Sequence, residues 1–299
     1  KYKLEGFDSD WVDVGTRLHN LNEVSAWAQE IGYVVNRTPP DANGEEFRGN
    51  GFGFAIGIDG PLNNGALFGL SASFVASDAE QPIRPDGRVS SSFGQLNAYL
   101  GTAIGPVDLD FVGGVGAGKL RERRFIEIGS FRQIAEANWW SYEGHGMVRA
   151  SAPMTSGGWL TITPQAALTY VGLSEQGYDE QDAGALNISA DSAFTQRLWG
   201  DVGVELSARM FTRGQTVIAP RLSVGYRANL ITGGGDRTFR FAGGSDFTLT
   251  DDDYGSGGPT VGVGLDATNG YSTLSLSYEG EFGDQIKRNS LNVALRFRF

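Results

Sequence analysis

The sequence contains no cysteine, so it offers neither a disulfide framework nor a thiolate metal site. Its two histidines, His19 and His145, are too few and too far apart for a histidine-based zinc centre. Positive charge is in short supply as well. Lys and Arg number 24 against 35 Asp and Glu, and the net charge of −11 disfavours nucleic acid as a partner. No stretch approaches the roughly 18–20 apolar residues that a membrane-spanning helix requires. No basic segment followed by an apolar run opens the chain, which starts Lys1-Tyr2-Lys3 without Met, as expected of a processed form or an excised portion. Proline is scarce at 10, whereas glycine reaches 44, beside 18 Phe, 10 Tyr and 6 Trp. Glycine and aromatics this frequent, without a collagen-like period, depart from the globular average. At 299 residues the chain has room for one large domain or two ordinary ones. On composition alone an acidic, soluble, all-β protein remains open.

Periodicity narrows the choice. From Leu291 to Phe299 the odd positions are Leu291, Val293, Leu295, Phe297 and Phe299, and the even ones are Asn292, Ala294, Arg296 and Arg298. The preceding segment alternates in the same way, with Leu274, Leu276, Tyr278 and Phe282 against Ser275, Ser277, Glu279 and Glu281. A period of two is the mark of a strand with two different faces. Similar segments fall at about 24–36, 50–59, 66–77, 91–104, 106–118, 138–152, 159–174, 194–210, 216–230 and 259–267, making twelve in all. One face is aliphatic or aromatic, as in Phe52, Phe54, Ile56 and Ile58, or Leu198, Val202, Val204 and Leu206. The other is small or polar, as in Gly53, Ala55, Gly57 and Asp59, or Arg197, Asp201, Gly203 and Glu205. A soluble sandwich would decorate its polar face with Lys and Glu for solvent. A face of Gly, Ser and opposite charges suits a wet, crowded interior, as in transmembrane barrels with apolar residues outward.

The connections fit that reading. Short turns are expected at Gly60–Gly65, Ile104–Pro106, Pro153–Gly158, Phe211–Gln215 and Ala267–Tyr271, alternating with long polar loops such as Glu175–Asp191 and Ile231–Gly258. Counting back from Phe299 places every short turn on one side, the pattern of short periplasmic turns and long external loops. Trp139, Trp140, Trp159, Tyr170, Tyr226, Tyr278 and Phe282 stand near segment ends, where membrane girdles lie. Hydrocarbon supplies no water to unpaired backbone groups, so amphipathic strands that span it must close. The expected fold is all-β: a closed antiparallel transmembrane barrel of about twelve strands.

Several stretches together resemble the translocator (β-) domain of autotransporters, in which one chain carries both passenger and barrel. They are Ala219–Arg227, Phe241–Phe247, Val261–Asp266, Leu276–Gly283 and Ala294–Phe299, preceded by Val24–Gln29 and Asn50–Gly57. The resemblance covers roughly residues 24–299 and rests on order and spacing more than on any one motif. It implies a barrel in the outer membrane of a Gram-negative bacterium that supports export or anchoring of an N-terminal passenger. It also implies contact with outer-membrane lipid and lipopolysaccharide, and recognition of the final strand by the barrel-assembly machinery. In that strand Asn292 takes the polar position, Phe297 and Phe299 take the aromatic ones, and Ala294 stands where the family usually has Gly. Residues 1–23 are expected to be a linker or lumen segment and 24–299 the barrel. Only Thr16–Glu23 could form a short helical turn or two, which is little for a long lumen helix. The competing reading is a small channel or structural outer-membrane barrel, including a subunit of a larger assembly.

Chemistry is sparse. His145 shares the polar face with Glu143 and Arg149, which suits a hydrogen-bonded lumen network. No Ser-His-Asp set is evident and no Gly-x-Ser-x-Gly turn occurs, so an enzyme is not expected and no cofactor is implied. Inward charges recur on neighbouring segments: Arg197, Asp201, Glu205 and Arg209, then Arg221 and Arg227, then Asp266, Glu279, Glu281, Arg296 and Arg298. Opposite signs on adjacent strands suggest cross-strand pairs lining a conduit or a solubilised interior. The acidic runs Asp251–Asp253 and Asp179–Asp182 have the oxygen density that calcium requires. They match no EF-hand spacing, so solvated loops are expected and no metal is assigned.

Overall fold

The alternating segments form twelve long antiparallel strands: β1 Ser25–Arg37, β2 Phe47–Pro61, β3 Leu67–Gln81, β4 Arg84–Ile104, β5 Val107–Ile128, β6 Phe131–Ser151, β7 Leu160–Glu175, β8 Ala193–Ala208, β9 Val217–Gly234, β10 Gly257–Thr268, β11 Ser272–Phe282 and β12 Ile286–Arg298. This computed structural model describes residues 24–38, 46–63, 65–81, 84–211, 216–250 and 255–299. Residues 1–23 with His19, residues 212–215 of one short turn, and Asp251–Asp253 therefore lie outside the described residues. Each strand pairs with its neighbour in sequence, and β12 returns to β1 with Ser25 opposite Arg298 and Arg37 opposite Ile286. Closure leaves none of the twelve an open edge, which is what a sheet needs where no water can satisfy backbone groups. The ladder shifts once between β8 and β9, where Leu198 faces Ile231 but Trp199 faces Asn229. The surplus Leu230 and its neighbour Ile231 are consequently both exposed, as at a β-bulge.

The barrel is inside out relative to a soluble protein. Phe52, Phe54, Ile56 and Ile58 of β2 are 58, 48, 56 and 55 % exposed, and an exposed apolar row continues through Leu70, Leu96, Val115, Leu168, Val202, Val224, Val263, Leu276 and Val293. A belt on this scale exceeds the few hundred Å² of contiguous apolar surface that soluble monomers tolerate, so hydrocarbon is its natural solvent. Strand β1 differs from the rest. Its inward positions are Trp27, Ile31, Tyr33 and Val35, all buried, whereas Ala28, Glu30 and Val34 face outward. Glu30 stands opposite Phe54 and Val293, which makes β1 the least lipophilic stave seen along this seam.

The two ends of the barrel are built differently. At one end Gly105-Pro106 and residues 269–271 make tight turns, and Gly105 adopts the positive φ of 61° that a side chain would resist. At the other end, length resides in both loops and prolonged strands. Strands β5 and β6 run 22 and 21 residues and meet at Gly129-Ser130, so the paired segment extends well past the 118 and 138 expected from alternation. Arg121, Glu122, Arg123 and Arg124 are consecutive, and beyond the apolar belt neither face needs to be lipophilic. Backbone pairing and the in–out alternation of side chains continue there, but the outward face is no longer apolar. The β7–β8 and β9–β10 connections together fold into a second sheet, of Tyr178–Asp179, Ile188–Ala190, Arg237–Phe241 and Asp246–Leu249. Among the described residues the helical structure is one short 3₁₀ turn, Gly184–Leu186, and no helix is long and apolar enough to cross a membrane.

Candidate functional site in the barrel interior

Side chains facing inward from β1 to β6 are mainly aromatic, aliphatic or small. Trp27 lies across from Gly57, Tyr33 from Gly51, Tyr99 from Gly69 and Phe93 from Gly118, each pair in direct register. Every one of these rings covers its glycine so closely that an added Cβ would run into it. The absent side chain makes the seat for the ring, and the ring covers backbone that glycine leaves bare. Polar groups on this wall are tied into chains. Trp27 Nε1 donates to the Tyr99 hydroxyl at 2.8 Å, and that hydroxyl donates to Asp59 Oδ2 at 2.8 Å. Arg296 Nη1 on β12 reaches Asp59 Oδ1 at 2.9 Å, so the relay crosses the seam. Farther along, Ser73 donates to Gln95 Oε1 at 3.0 Å, Gln95 Nε2 to Glu143 Oε1 at 3.0 Å, and His145 Nδ1 lies 2.7 Å from the same carboxylate oxygen. His145 covers Gly114, and Arg149 donates to Asp110 Oδ2 at 3.0 Å.

The wall from β8 to β12 is made of charge. Arg227 Nε donates to Asp201 Oδ1 at 2.7 Å and its Nη1 to Glu281 Oε2 at 3.0 Å. Arg288 Nη1 shares that Glu281 oxygen at 3.5 Å. Arg221 Nε sits 2.9 Å from Asp266 Oδ2, with Glu205 Oε2 3.9 Å from its Nη1. Arg298 Nη2 donates to the Thr273 hydroxyl at 3.0 Å, Arg197 and Glu279 are inward and partly buried, and Arg209 is exposed just past β8. A cavity of about 160 Å³ opens on this side, lined by Arg149, Gln165, Asp201, Arg227, Glu279 and Arg288 among others. Among the described residues no three His, Asp or Glu side chains are arranged to hold a metal ion.

At the long-loop end the second sheet is pinned over the interior. Trp139 was expected in the outer girdle, yet it is 5 % exposed and points inward, with Nε1 donating to Glu175 Oε1 at 2.9 Å. Adjacent strand residues face opposite ways, so Trp139 and Trp140 cannot both meet lipid, and Trp140 is the exposed one. Trp159, Tyr170, Tyr226 and Phe282 are exposed as well, while Tyr278 is half-buried with its hydroxyl on Asn289 Oδ1 at 2.7 Å. Tyr178 stacks on Trp139 at 4.3 Å, and the Arg237 guanidinium covers both rings at 4.9 and 5.5 Å. Arg237 also donates to the carbonyls of Asp191 and Gln176 at 2.7 and 2.8 Å. Tyr178 donates to Glu122 Oε2 at 2.8 Å. Burial and the nearby Glu122 carboxylate push its pKa far up, so it stays a donor. Glu180 belongs to an expected solvated acidic run, but it is buried and gripped by Arg124 through two bonds of 2.7 and 2.6 Å. The partner is 56 residues away, so the run itself carried no sign of it.

At the last strand Asn292 is buried on the inward face and Phe297 is 46 % exposed on the outward face. Phe299 lies just past β12, its N–H donating to the Val24 carbonyl at 2.9 Å. Alternation did not single out Trp27, Tyr99, Asp110, Gln95 or Glu175 as parts of the interior network. Asp59 was placed on the correct face but without a partner.

Comparison with known proteins agrees with this architecture. The "Autotransporter beta-domain" family matches residues 26–281. No curated protein sequence matches the chain significantly. Among solved structures, the translocator domain of the autotransporter NalP from Neisseria meningitidis superposes with a TM-score of 0.71 at 16 % identity, covering 97 % of this chain and 91 % of that one. The β-domain of the Bordetella autotransporter BrkA gives a TM-score of 0.70 at 17 % identity, over 93 % of this chain and 100 % of that one. The transport unit of AIDA-I from Escherichia coli gives 0.57 at 10 % identity, over 96 % and 93 %. With its inward polar face, outward apolar belt, twelve-strand closure and a family match over most of its length, the chain belongs to the autotransporter β-domain family, the outer-membrane barrels that serve passenger export.

Proposed function

We propose that this barrel resides in the outer membrane of a Gram-negative cell and acts without catalysis, holding an exported polypeptide segment within its lumen. The observation that supports this reading best is the charged wall, where Arg221 and Arg227 each sit between two carboxylates. Such paired charges present hydrogen-bonding groups of both signs to a chain passing through, without trapping it as a single-sign surface would. In this reading Glu143, His145, Arg149, Arg197, Asp201, Glu205, Arg221, Arg227, Glu279 and Arg296 line the conduit. Residues 1–23 are the linker to the passenger, and 24–299 are the barrel. Lipid and lipopolysaccharide surround the belt, and the barrel-assembly machinery reads Asn292, Phe297 and Phe299.

A reporter passenger fused ahead of Lys1 tests the proposal. Protease added to intact cells should remove the reporter while leaving a folded, heat-modifiable barrel behind. A reporter that stays in the periplasm beside a correctly folded barrel would overturn the export role. Deleting Phe299 should lower membrane insertion far more than deleting any loop residue, and equal insertion would remove the assembly role. In planar bilayers the conductance should be small and weakly ion-selective, and it should rise when residues 1–23 are removed. A large conductance indifferent to that deletion would instead favour a plain channel.

A further inference from the structure

The outward face of β5 changes character abruptly. Phe111, Val115 and Ala117 face outward in the belt, and the next outward positions are Lys119, Arg121 and Arg123, all exposed. Their neighbours fix the height of this change. Lys119 lies between Ser92 of β4 and the exposed Trp140 of β6, and Arg121 lies between Ser90 and Asn138. One step farther out, Arg123 is bound to Glu136 at 3.1 Å, and Arg88 beside it is bound to Asp78 at 2.9 Å. Asp78 and Glu136 are therefore already paired with Arg88 and Arg123, and the exposed Glu80 stands in register with Arg88, two strands from Arg123. Lys119 and Arg121 have no acidic partner among the described residues, on a chain whose net charge is −11.

We infer that Lys119 and Arg121, with Ser92 and Asn138 beside them, form a binding site for the phosphorylated sugar headgroup of an outer-leaflet glycolipid. This rests on the outer-membrane placement proposed above. The site stands where the lipophilic belt ends, at the long-loop end, with the Trp140 and Tyr142 rings marking the interface. Successive outward residues on a strand are about 7 Å apart, so two long cationic side chains can converge on one phosphate or hold two. Arg offers a planar fork to phosphate and Lys a mobile point charge, while a hydroxyl and an amide can meet the sugar. The acyl chains would then lie along Val115, Ala117 and the neighbouring belt. Charge complementarity selects an anionic lipid, and the adjoining apolar surface selects a lipid over a free anion.

The test uses the full chain folded in a phosphate-free, uncharged detergent, with diphosphoryl lipid A as probe and native mass spectrometry plus the heat-modifiable gel shift as readouts. The wild type should retain the probe and melt at a higher temperature in its presence. Lys119→Gln with Arg121→Gln should weaken retention by about tenfold or more, the scale of losing charge-assisted bonds. Arg121→Gln alone should give an intermediate loss, and Lys287→Gln on the remote strand β12 should leave retention unchanged. Dephosphorylated lipid should bind poorly, and inorganic phosphate should not protect. A folded double variant that binds like the wild type, equal retention of the dephosphorylated lipid, or equal protection by inorganic phosphate would each overturn the site. Failure of the wild-type chain to insert into bilayers at all would overturn the membrane placement, and the site with it.

Discussion

Between β1 and β5 the interior is filled by rings resting on glycines, whereas between β8 and β12 it is filled by guanidinium groups set among carboxylates. Both solve the same problem, covering backbone inside a closed sheet, but they tolerate change differently. Phe93 has no measurable exposure and one seat, at Gly118. Arg227 has two carboxylates, Glu281 serves two arginines, and Arg221 lies near both Asp266 and Glu205. A wall held by shape has no spare partner. A wall held by charge has several, and water in the lumen can replace a lost one.

The largest effect should come from behind the charged wall. Val204→Arg or Leu276→Arg puts a cation into the apolar belt and should destabilise the barrel by about 2–4 kcal/mol if the site lies near the bilayer midplane. Ser207→Arg or Ser275→Arg, on the inward face of the same strands, should be much milder in the same lipid unfolding titration. Equal costs would mean that the two faces are misassigned.

Next comes a direct contest between the walls. Gly118→Val drives a side chain into the Phe93 ring and should cost about 1–3 kcal/mol, the usual scale of overpacking. At Gly264 the nearest atoms are the Arg221 guanidinium, 3.1 Å from an added Cβ, and that flexible group can move aside. Gly264→Ala should therefore cost only a few tenths of a kcal/mol, well below Gly118→Ala in urea titrations, by the same overpacking argument. Similar costs at the two sites would erase the contrast.

Smaller still is the loss of one charge. Asp201→Asn leaves Arg227 with Glu281, so the expected cost is about 1 kcal/mol or less, the range of partly solvated ion pairs. Removing Asp201 and Glu281 together should cost more than the sum of the two single changes, which a double-mutant cycle measures. The smallest effect on barrel melting is expected for Arg237→Ala, because its contacts lie in the second sheet and at the mouth. Its signature should be faster protease cleavage within 176–192 or 235–250. Unchanged cleavage would show that Arg237 does not hold that sheet down.

Period two was enough to read the barrel from the sequence because lipid and lumen each impose a face on every residue of a spanning strand. That is why Val202, Val204 and Leu206 were assignable against Asp201, Gly203 and Glu205. Where only one constraint acts, the reading fails. Outside the belt, β5 and β6 continue through Arg121–Arg124 without an apolar face, held by backbone pairing and by contacts such as Arg123–Glu136, and the second sheet arises from loops with no periodic pattern. Trp139 was misplaced because an aromatic near a strand end fits both girdle and interior, and only its parity with Glu143 and His145 distinguishes them. The network partners were hidden for another reason. Trp27 and Tyr99 are 72 residues apart, and Arg296 and Asp59 are 237 apart, distances over which residue type alone indicates no pairing.

That last pair bears on the order of events during assembly. Asp59 is presented by the second strand of the barrel and Arg296 by the twelfth, so the carboxylate waits for all the intervening strands to emerge. Until then its side chain, wholly enclosed in the finished barrel, lacks its cationic partner, and β1 lacks a neighbour along its outer edge. Loop closure over such a distance is the slowest kind of contact to make. Docking of β12 satisfies the backbone edge of β1 and brings Arg296 to Asp59, completing a Trp27–Tyr99–Asp59 relay that β1, β2 and β4 already hold. Partial closure leaves both the edge and the ion pair unmade, so unfolding should begin by releasing the seam.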